Sequence, residues 1–319
     1  MPAEKNPADS AGVQFPAASL IICSRNRPTL LRETLESILA GEELPAELIV
    51  IDQSNGTHLM NTDGLAAMVG CRIRYIQSKS AGLSRAMNEG IRAAISDILV
   101  FTHDDVLVPP VWFGAIVRQL IRSGRRAVIT GRVMPGKTEA SGGFVPNIIT
   151  SETPAVYQGR VWADVLYPLN MAMHREVLTA IGPFDERLGP GTPFPGAEDN
   201  DFGFRVLERG YSIEYAPSAG LEHRAWRPGS DYVKLRWAYG RAQGAFYAKH
   251  RNTSERYIAR RFTADLRHRL RRLMQRKTPE FRLATGDIAY VLGLLTGAAE
   301  WLLRYCRPWS RSNQEGSSR

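Results

Sequence analysis

The chain has 319 residues, of which 44% are hydrophobic and 23% are charged. This is the composition of a folded protein, and the length suits one large α/β domain with an appendage. The formal net charge is +9, and the segment 251–282 alone carries an excess of eight positive charges. Such a charge is compatible with a nucleic acid, an anionic membrane or a phosphorylated substrate as partner, and its position points to the C-terminal segment.

The three cysteines, Cys23, Cys71 and Cys306, are far apart in sequence and form no CxxC pair. Neither a disulfide framework nor a zinc knuckle is predicted, and a reducing, cytoplasmic setting is expected. Residues 1–17 contain three prolines without apolar periodicity, and they lack the basic and apolar regions of a secretory signal. We expect them to form a flexible N-terminus.

Repeated strand and helix units begin at residue 18. The run Ala18–Cys23 is apolar without alternation, as in a strand buried on both faces, and Pro28 stands where a helix can begin. Further strands of this kind are predicted at 48–51, 72–76 and 98–101. A second helix is predicted at about 83–95. Repeated βα units predict a mostly parallel sheet.

Polar side chains stand just past the ends of these strands, namely Ser24, Asp52, Asp104 and Asp105. In open α/β sheets ligands bind beyond the carboxyl ends of the strands. Because Asp104 and Asp105 are adjacent, their side chains point in different directions, so one can hold Mg²⁺ or Mn²⁺ while the other reaches a sugar hydroxyl. A metal of this kind would neutralise a nucleotide diphosphate leaving group. An exposed turn or a helix N-cap before Pro109 explains the pair equally well.

Two segments rich in glycine and proline, at about 136–159 and 182–196, interrupt the second half of the chain. The second leads into Glu198, Asp199 and Asp201 at the start of a predicted helix. The helix dipole stabilises carboxylates there as caps, but three acids exceed what capping requires. A carboxylate held opposite a leaving group can act as a general base, and we favour this interpretation. The acceptor side is expected here.

Two further patterns are weaker signals. Residues 131–138 read GRVMPGKT and match the P-loop expression, but the glycines and the proline at 142–146 would break the helix that a P-loop requires. A strand is predicted at 213–216, and His223 after it could ligate a metal, although a lone histidine is more often structural.

The last part of the chain is predicted to be helical. Three helices are expected, at 232–250, in the basic segment and at 288–305. Residues 288–299 are uncharged and too few to span a bilayer, and beside the basic helix they suit an interfacial anchor on anionic lipid. The residues expected to bind the membrane are Arg267, Arg271 and Arg272 together with Trp301 and Leu302. A helical lid packed on the main domain is the alternative.

Six sequence blocks occur in a defined order. They are LIICSRNR from Leu20, VIDQS from Val50, AGLSR from Ala81 with Asn88, FTHDD from Phe101, IGPFDE from Ile181, and GAED from Gly196 with Arg205. Over about residues 18–227 this order resembles the family 2 glycosyltransferases, inverting enzymes with a GT-A fold. The likeness is to the bacterial rhamnosyl and galactofuranosyl type of transferase that builds surface glycans.

The resemblance implies a role for each matching position. The donor-binding residues would be Ser24, Arg25, Asp52, Arg85 and Asp104. Asp105 and His223 would hold Mg²⁺ or Mn²⁺, and Asp199, with Glu198 beside it, would be the catalytic base. His103 stands where the family usually has the first aspartate of a DxD triplet.

The predicted organisation is therefore an α/β protein with a GT-A domain. Its parts are a GT-A domain at 18–229, with a nucleotide-binding half at 18–135 and an acceptor half at 136–229, a basic amphipathic helical region at 230–306, and a flexible tail at 307–319. The expected partners are a nucleotide-sugar donor, a glycan or lipid-linked acceptor and an anionic membrane surface, with no nucleic acid. The expected location is the cytoplasm, peripheral to the inner face of the membrane.

Two other functions are alternatives. A sugar-phosphate nucleotidyltransferase also needs metal and nucleotide, but it would have a glycine-rich loop after the first strand, where residues 24–27 contain no glycine. A nucleic-acid-binding protein could use the basic segment, but Tyr257, Phe262 and Leu273 suit helix packing better than stacking on bases.

Overall fold

The computed structural model describes residues 15–56, 71–137, 142–253, 256–275 and 281–306. The flexible termini predicted at 1–17 and 307–319 lie outside the described residues, except for 15–17. Residues 276–280 of the basic segment also lie outside them.

Nine strands form one mixed sheet. They are β1 (Ala18–Ser24), β2 (Glu47–Asp52), β3 (Arg72–Gln77), β4 (Ile98–His103), β5 (Val106–Leu107), β6 (Ala127–Pro135), β7 (Ala155–Tyr157), β8 (Asn170–His174) and β9 (Ser212–His223). The order is β3-β2-β1-β4-β8-β6-β9-β5, with β7 paired to β9. Strands β1 to β4 are parallel, as the βα repeats predict, whereas β8 runs antiparallel to both β4 and β6. The two predicted halves of the domain therefore share one sheet.

Helices cover both faces of this sheet. They are α1 (Pro28–Leu39), α2 (Leu83–Ala93), α3 (Trp112–Ser123), α4 (Arg175–Ile181), α5 (Glu198–Glu208), α6 (Tyr232–Lys249), α7 (Tyr257–Met274) and α8 (Phe281–Tyr305). Leu20 packs into a core with α1 and α3, and its neighbour Ile21 packs into a second core with α2 and α5. Successive side chains of a strand point to opposite faces, so a strand with two covered faces has the continuous apolar run seen at β1.

The C-terminal helices pack on the body of the protein. A third core joins them to the loop residues Leu188 and Phe194. Helices α6 and α8 approach closely at glycines: a Cβ at Gly244 would lie 2.0 Å from the carbonyl oxygen of Leu294, and one at Gly297 would lie 1.9 Å from a carbonyl oxygen of α6. Only residues without a side chain permit such an approach of two helix backbones.

Helix α8 begins at Phe281, earlier than the predicted start at Ile288. The uncharged run did not mark the helix boundary because Asp287 is accommodated inside, fully buried near arginines of α6 and α7. By length and composition this 25-residue helix could cross a membrane, but 39% of its apolar window is buried within the protein. Trp301, a candidate for membrane contact from its sequence position, is only 2% exposed and packs on Phe194.

The P-loop match is not a phosphate loop. Its residues Gly131–Pro135 belong to β6, and the described chain has no helix between Gly136 and Arg175. A strand over these residues differs from the loop that opens a helix in a P-loop. Strand β9 is longer than the predicted 213–216 and runs on to His223, which places this histidine at a strand end beside β5.

Candidate active site

A cavity of about 680 Å³ lies between the sheet and the C-terminal helices. Its walls come from the carboxyl ends of β1, β4 and β9, from the start of α5, and from α6, α7 and α8. This volume is in the range of small-molecule binding sites, which span about 300–1,000 Å³. The cavity is therefore large enough for a substrate and is lined at the strand ends where polar residues were predicted to meet.

Asp104 and Asp105 form the acidic floor of this cavity, and both are buried. The Ser24 hydroxyl donates a hydrogen bond to Asp104 at 2.7 Å, and Arg27 contacts both carboxylates, at 3.3 Å for Asp104 and 2.7 Å for Asp105. Burial, followed by the charge of Asp105, raises the pKa of Asp104. Burial also acts to raise the pKa of Asp105, but His223, His103 and Arg27 together hold it well below its usual range. Asp105 is thus the more acidic member of the pair.

His223 faces Asp105 across the cavity floor. Its Nδ1 lies 3.2 Å from the carbonyl oxygen of Pro146, which can only accept a hydrogen bond, so Nδ1 carries the proton. The Nε2 atom lies 3.5 Å from Asp105 Oδ1, and this buried oxygen has no hydrogen-bond partner among the described residues. An imidazole nitrogen and a carboxylate oxygen that face each other at this distance can both ligate one divalent cation.

The protein ligands for such a cation are few. Among the described residues, no three histidine, cysteine or acidic side chains are arranged to hold a metal. Asp105 and His223 would therefore supply two ligands, and the remaining positions suit the phosphate oxygens of a substrate, as is common for Mg²⁺. The residues fit a metal that binds together with a diphosphate.

The three acids at the start of α5 differ in their surroundings. Asp201 is fully buried and contacts three basic side chains: Arg205 at 2.9 Å, Lys249 at 2.5 Å and His250 at 2.8 Å. Its pKa falls to about 2, since these partners outweigh the effect of burial. Asp201 therefore joins α5 to α6 and has a structural role.

Asp199 and Glu198 lie in the cavity wall. Helix α5 begins after Ala197, which has a φ of 62° and forms no side-chain cap, and Asp199 accepts a hydrogen bond from the backbone N–H of Asn200. Burial raises the pKa of both acids, followed by the charge of Asp164 for Asp199 and by the charge of Asp199 for Glu198. Neither acid serves as the N-cap, and both have the environment of a group that exchanges protons near neutral pH.

Comparison with known proteins identifies the family. The family described as Glycosyl transferase family 2 matches residues 19–182. The chain belongs to this family. It is a glycosyltransferase, which removes the nucleotidyltransferase alternative.

Similar proteins agree with this assignment. The chain is 21% identical to a glucosyl-dolichyl phosphate glucuronosyltransferase of Haloferax volcanii, over 65% of this chain and 68% of that protein. The mannosyltransferase PcManGT from Pyrobaculum calidifontis, solved in complex with GDP-Man and Mn²⁺, has a TM-score of 0.59 at 14% identity, over 90% of this chain and 88% of that one. TarS 1-349 of S. aureus has a TM-score of 0.52 at 14% identity, over 91% and 93%. The fold is that of GT-A glycosyltransferases.

The predicted donor-binding residues of this family 2 glycosyltransferase do not all lie in the cavity. Ser24, Arg25 and Asp104 line it. Asp52 stands beside Ser24 at the end of β2, but its carboxylate accepts hydrogen bonds from Ser54 and Tyr75 and does not line the cavity. The nucleotide-binding role of Asp52 stays a prediction.

Arg85 also lies outside the cavity lining, where it is exposed and 3.4 Å from Glu186. Its helix α2 is held to the loop before α5 by other residues. The Ser84 hydroxyl donates to the carbonyl oxygen of Leu188 at 2.8 Å, and the Asn88 side chain bonds the backbone of Phe184 at 3.0 Å in both directions. The AGLSR block with Asn88 thus positions the loop that leads to Glu198.

Several cavity residues were not predicted from the sequence. Arg27 binds the acidic pair, whereas the prediction named Arg25, two positions earlier in the same block. Asp164, Arg236, Tyr239, Arg269 and Tyr290 also line the cavity. The family match covers Asp164 but ends at residue 182, before the other four residues and before Asp199, Glu198 and His223. The roles of those three stay predictions.

Proposed function

We propose that this glycosyltransferase moves a sugar, with inversion, from a nucleotide-diphosphate sugar to a hydroxyl of a glycan or lipid-linked acceptor. The observation that supports this proposal is one cavity shared by the Asp104–Asp105 pair and by Asp199, a half-buried carboxylate with a raised pKa. The Asp104–Asp105 pair suits binding of the donor, and Asp199 suits a position beside the acceptor hydroxyl. Transfer of rhamnose or galactofuranose to a surface glycan is part of the proposal and rests on the sequence blocks.

In the proposed reaction the acceptor hydroxyl oxygen attacks the anomeric carbon, and the bond from that carbon to the diphosphate breaks. Asp199 accepts the hydroxyl proton as the new bond forms, and a single displacement inverts the configuration. Glu198, which is more deeply buried and has its own raised pKa, would remain protonated beside Asp199 and donate a hydrogen bond within the site. Arg27 carries positive charge to the cavity floor, where negative charge develops on the leaving group.

A divalent metal is part of the proposal. Asp105 and His223 would hold Mg²⁺ or Mn²⁺, and the metal would stabilise the charge of the leaving diphosphate. Support comes from the unpartnered Asp105 oxygen that faces His223, and from the presence of Mn²⁺ with GDP-Man in the mannosyltransferase PcManGT. In the described structure Arg27 occupies part of the carboxylate surface that the metal would share.

The substitution Asp199→Asn tests the assignment of the base. It keeps the shape and the acceptor oxygen that bonds Asn200, so donor affinity and melting temperature should stay close to wild type. Turnover should fall by about 10²- to 10⁴-fold, the contribution of a general base. Donor affinity, melting and turnover are measured on the same preparation, with Glu198→Gln as the neighbouring comparison. Turnover of Asp199→Asn within a few-fold of wild type would contradict the proposal.

We also propose that the protein binds the cytoplasmic face of an anionic membrane. Ile288, Leu292 and Leu295 are 47%, 52% and 48% exposed, and their spacing places them on one face of α8. The adjoining helix α7 presents Arg267 and Arg271 to solvent. An exposed apolar face beside basic side chains is typical of helices that lie in the membrane interface. This proposal differs from the sequence-based one in that the buried Trp301 takes no part.

Sedimentation with lipid vesicles tests membrane binding. Vesicles that contain phosphatidylserine should bind the full chain at low salt and release it at high salt, since the basic contribution is screened. Leu292→Asp should weaken binding, whereas Val156→Asp, at an exposed apolar position on β7, should not. Equal binding of both variants, or no binding at low salt, would contradict the proposal.

A further inference from the structure

The end of the cavity formed by the C-terminal helices contains two arginines on one tyrosine ring. The guanidinium carbon of Arg236, on α6, lies 4.5 Å from the ring centroid of Tyr290, and that of Arg269, on α7, lies 4.4 Å from it. All three side chains line the cavity. Because they come from three different helices, the packing of α6, α7 and α8 creates this group, which we call the arginine cluster (Arg236, Arg269 and Tyr290).

Acidic neighbours compensate the arginine cluster incompletely. Asp287 lies 4.0 Å from Arg236 and 3.7 Å from Arg269, beyond ordinary hydrogen-bond distance, and it is also 3.4 Å from Arg272. Asp265 lies 3.4 Å from Arg269, and its Oδ2 accepts the Tyr290 hydroxyl at 2.7 Å. Three guanidinium groups thus share two carboxylates at this end of the cavity.

Several donors of the cluster have no acceptor. In the described part of the chain, Nε and Nη2 of Arg236 and Nε of Arg269 are buried without a hydrogen-bond partner, as is Nε of Arg227, which also lines the cavity. Burial, followed by the positive charge of Arg269, lowers the pKa of Arg236. Buried guanidinium groups that repel one another and have donors without a hydrogen bond are stabilised by an anion, and their planar donor geometry matches phosphate.

The solvent-facing side of α8, opposite the cavity, indicates what kind of molecule carries this anion. Tyr290 points into the cavity, while Ile288 and Leu292, two positions before and after it, are exposed and apolar. A single helix thus separates a cationic recess from an apolar surface by its own diameter, about 10 Å. A ligand with a phosphate head and a hydrocarbon tail fits both surfaces, whereas a free glycan has no use for the second.

We propose that the arginine cluster binds the phosphate group of a lipid-linked acceptor and so restricts this glycosyltransferase to phosphate-bearing acceptors. The inference rests on the proposed function, because it takes the cavity to hold donor and acceptor together. The acceptor hydroxyl would meet Asp199 while the phosphate is held by Arg236 and Arg269. The donor diphosphate is assigned to a different part of the cavity, at Asp105 and His223 on the strand ends.

Calorimetric titration of the full chain tests the inference, with farnesyl phosphate as probe, farnesol as the neutral analogue and inorganic phosphate as the anion without a tail. Farnesyl phosphate should bind more tightly than either. Arg236→Gln and Arg269→Gln should each weaken it by about tenfold to a hundredfold, the value of a hydrogen bond to a charged group. Arg236→Lys should recover part of the affinity, and Arg260→Gln, an exposed arginine of α7, should bind as wild type does.

The outcomes are distinguishable. Equal affinity for farnesyl phosphate and farnesol, or no effect of the cluster variants at unchanged melting temperature, would overturn the inference. Inorganic phosphate bound as tightly as farnesyl phosphate would overturn the lipid-linked part of it. Hydrolysis of nucleotide sugars without acceptor is measured on the wild type in parallel: failure of hydrolysis with cluster-dependent binding intact would count against the proposed function, not against the phosphate site.

Discussion

The buried carboxylate of Asp201 offers a quantitative test of how the catalytic domain and the C-terminal helices are joined. Asp201→Asn keeps the side-chain shape but removes a charge that contacts Arg205, Lys249 and His250 within 2.9 Å. Breaking a buried ion pair by removing one partner costs about 3–5 kcal/mol, because the remaining charge is left uncompensated. Lys249 retains Asp185 at 2.7 Å, so we expect the lower end, about 3 kcal/mol.

The assay is thermal unfolding by calorimetry at pH 7, with chemical denaturation as the second measurement. For a chain of this length, with an unfolding entropy of about 2.1 cal/mol/K per residue, about 3 kcal/mol corresponds to a fall in melting temperature of roughly 4–6 °C. Asp199→Asn is the control, because the hydrogen bond that Asp199 accepts comes from the backbone of Asn200 and the amide oxygen can still accept it, so stability should change by about 1 kcal/mol or less. The two variants differ by two positions in one helix, so their contrast isolates the ion contacts.

The effect also has a defined pH dependence. The pKa of Asp201 is about 2 in the folded protein, below the value of about 3.9 for an unfolded aspartate. A lowered folded pKa stabilises the protein at pH values above the unfolded pKa, and this stabilisation is lost as pH falls through the folded pKa. The difference between wild type and Asp201→Asn should therefore be full above about pH 4 and shrink toward pH 2. A variant that melts within about 2 °C of wild type at pH 7 would refute the structural role of Asp201.

Three further predictions concern the active site and the helix packing. Asp105→Asn should abolish the stimulation of transfer by Mn²⁺ or Mg²⁺, and full activity in excess chelator would show that no metal is required. The turnover rate should rise with pH through the pKa of Asp199, because the base must be ionised. Asp164→Asn should move this rise to lower pH, because the charge of Asp164 raises the pKa of Asp199. A pH profile that does not move in this variant would count against Asp199 as the base. Gly297→Ala should lower the free energy of unfolding in denaturant by about 1–3 kcal/mol, since its Cβ would lie 1.9 Å from a backbone carbonyl oxygen. Ala299→Gln, on the exposed side of the same helix, should change it by only about 0.5 kcal/mol.

Much of the fold could be predicted because it depends on local periodicity. Buried parallel strands are continuous apolar runs, and the helix that follows each one shows apolar residues at helical spacing, so β1, α1, β2 and β4 were placed within a few residues. The predicted end of an element was wrong where a tertiary contact allows a charged residue inside the helix. Helix α8 extends past the uncharged run because buried Asp287 is compensated by arginines from other helices, and no local pattern shows this.

The active site divides in the same way. The strand ends at Ser24, Asp104 and Asp105 were predictable, because parallel strands deliver their carboxyl ends to one edge of the sheet. The different roles of Asp199 and Asp201 were not predictable, because both acids stand in the first turn of the same helix. Only Asp201 contacts Lys249 and His250, which lie at the end of α6, about 50 residues later in the chain. The same holds for Trp301, whose burial depends on its contact with the distant Phe194.

The sequence by itself therefore determined the order of the elements, the edge of the sheet at which chemistry occurs, and the family blocks up to the start of α5. Only the tertiary structure decided which charges compensate one another there. In the folded chain Arg27 contacts Asp104 and Asp105, and Asp201 lies in the interface between α5 and α6. Arg236 and Arg269 both pack on the ring of Tyr290 in the cavity. The physical reason is the distance along the chain over which each effect acts. Backbone propensity and side-chain periodicity act over a few residues, whereas burial and ion pairing depend on partners that are far apart in sequence and come within a few ångströms only in the folded chain.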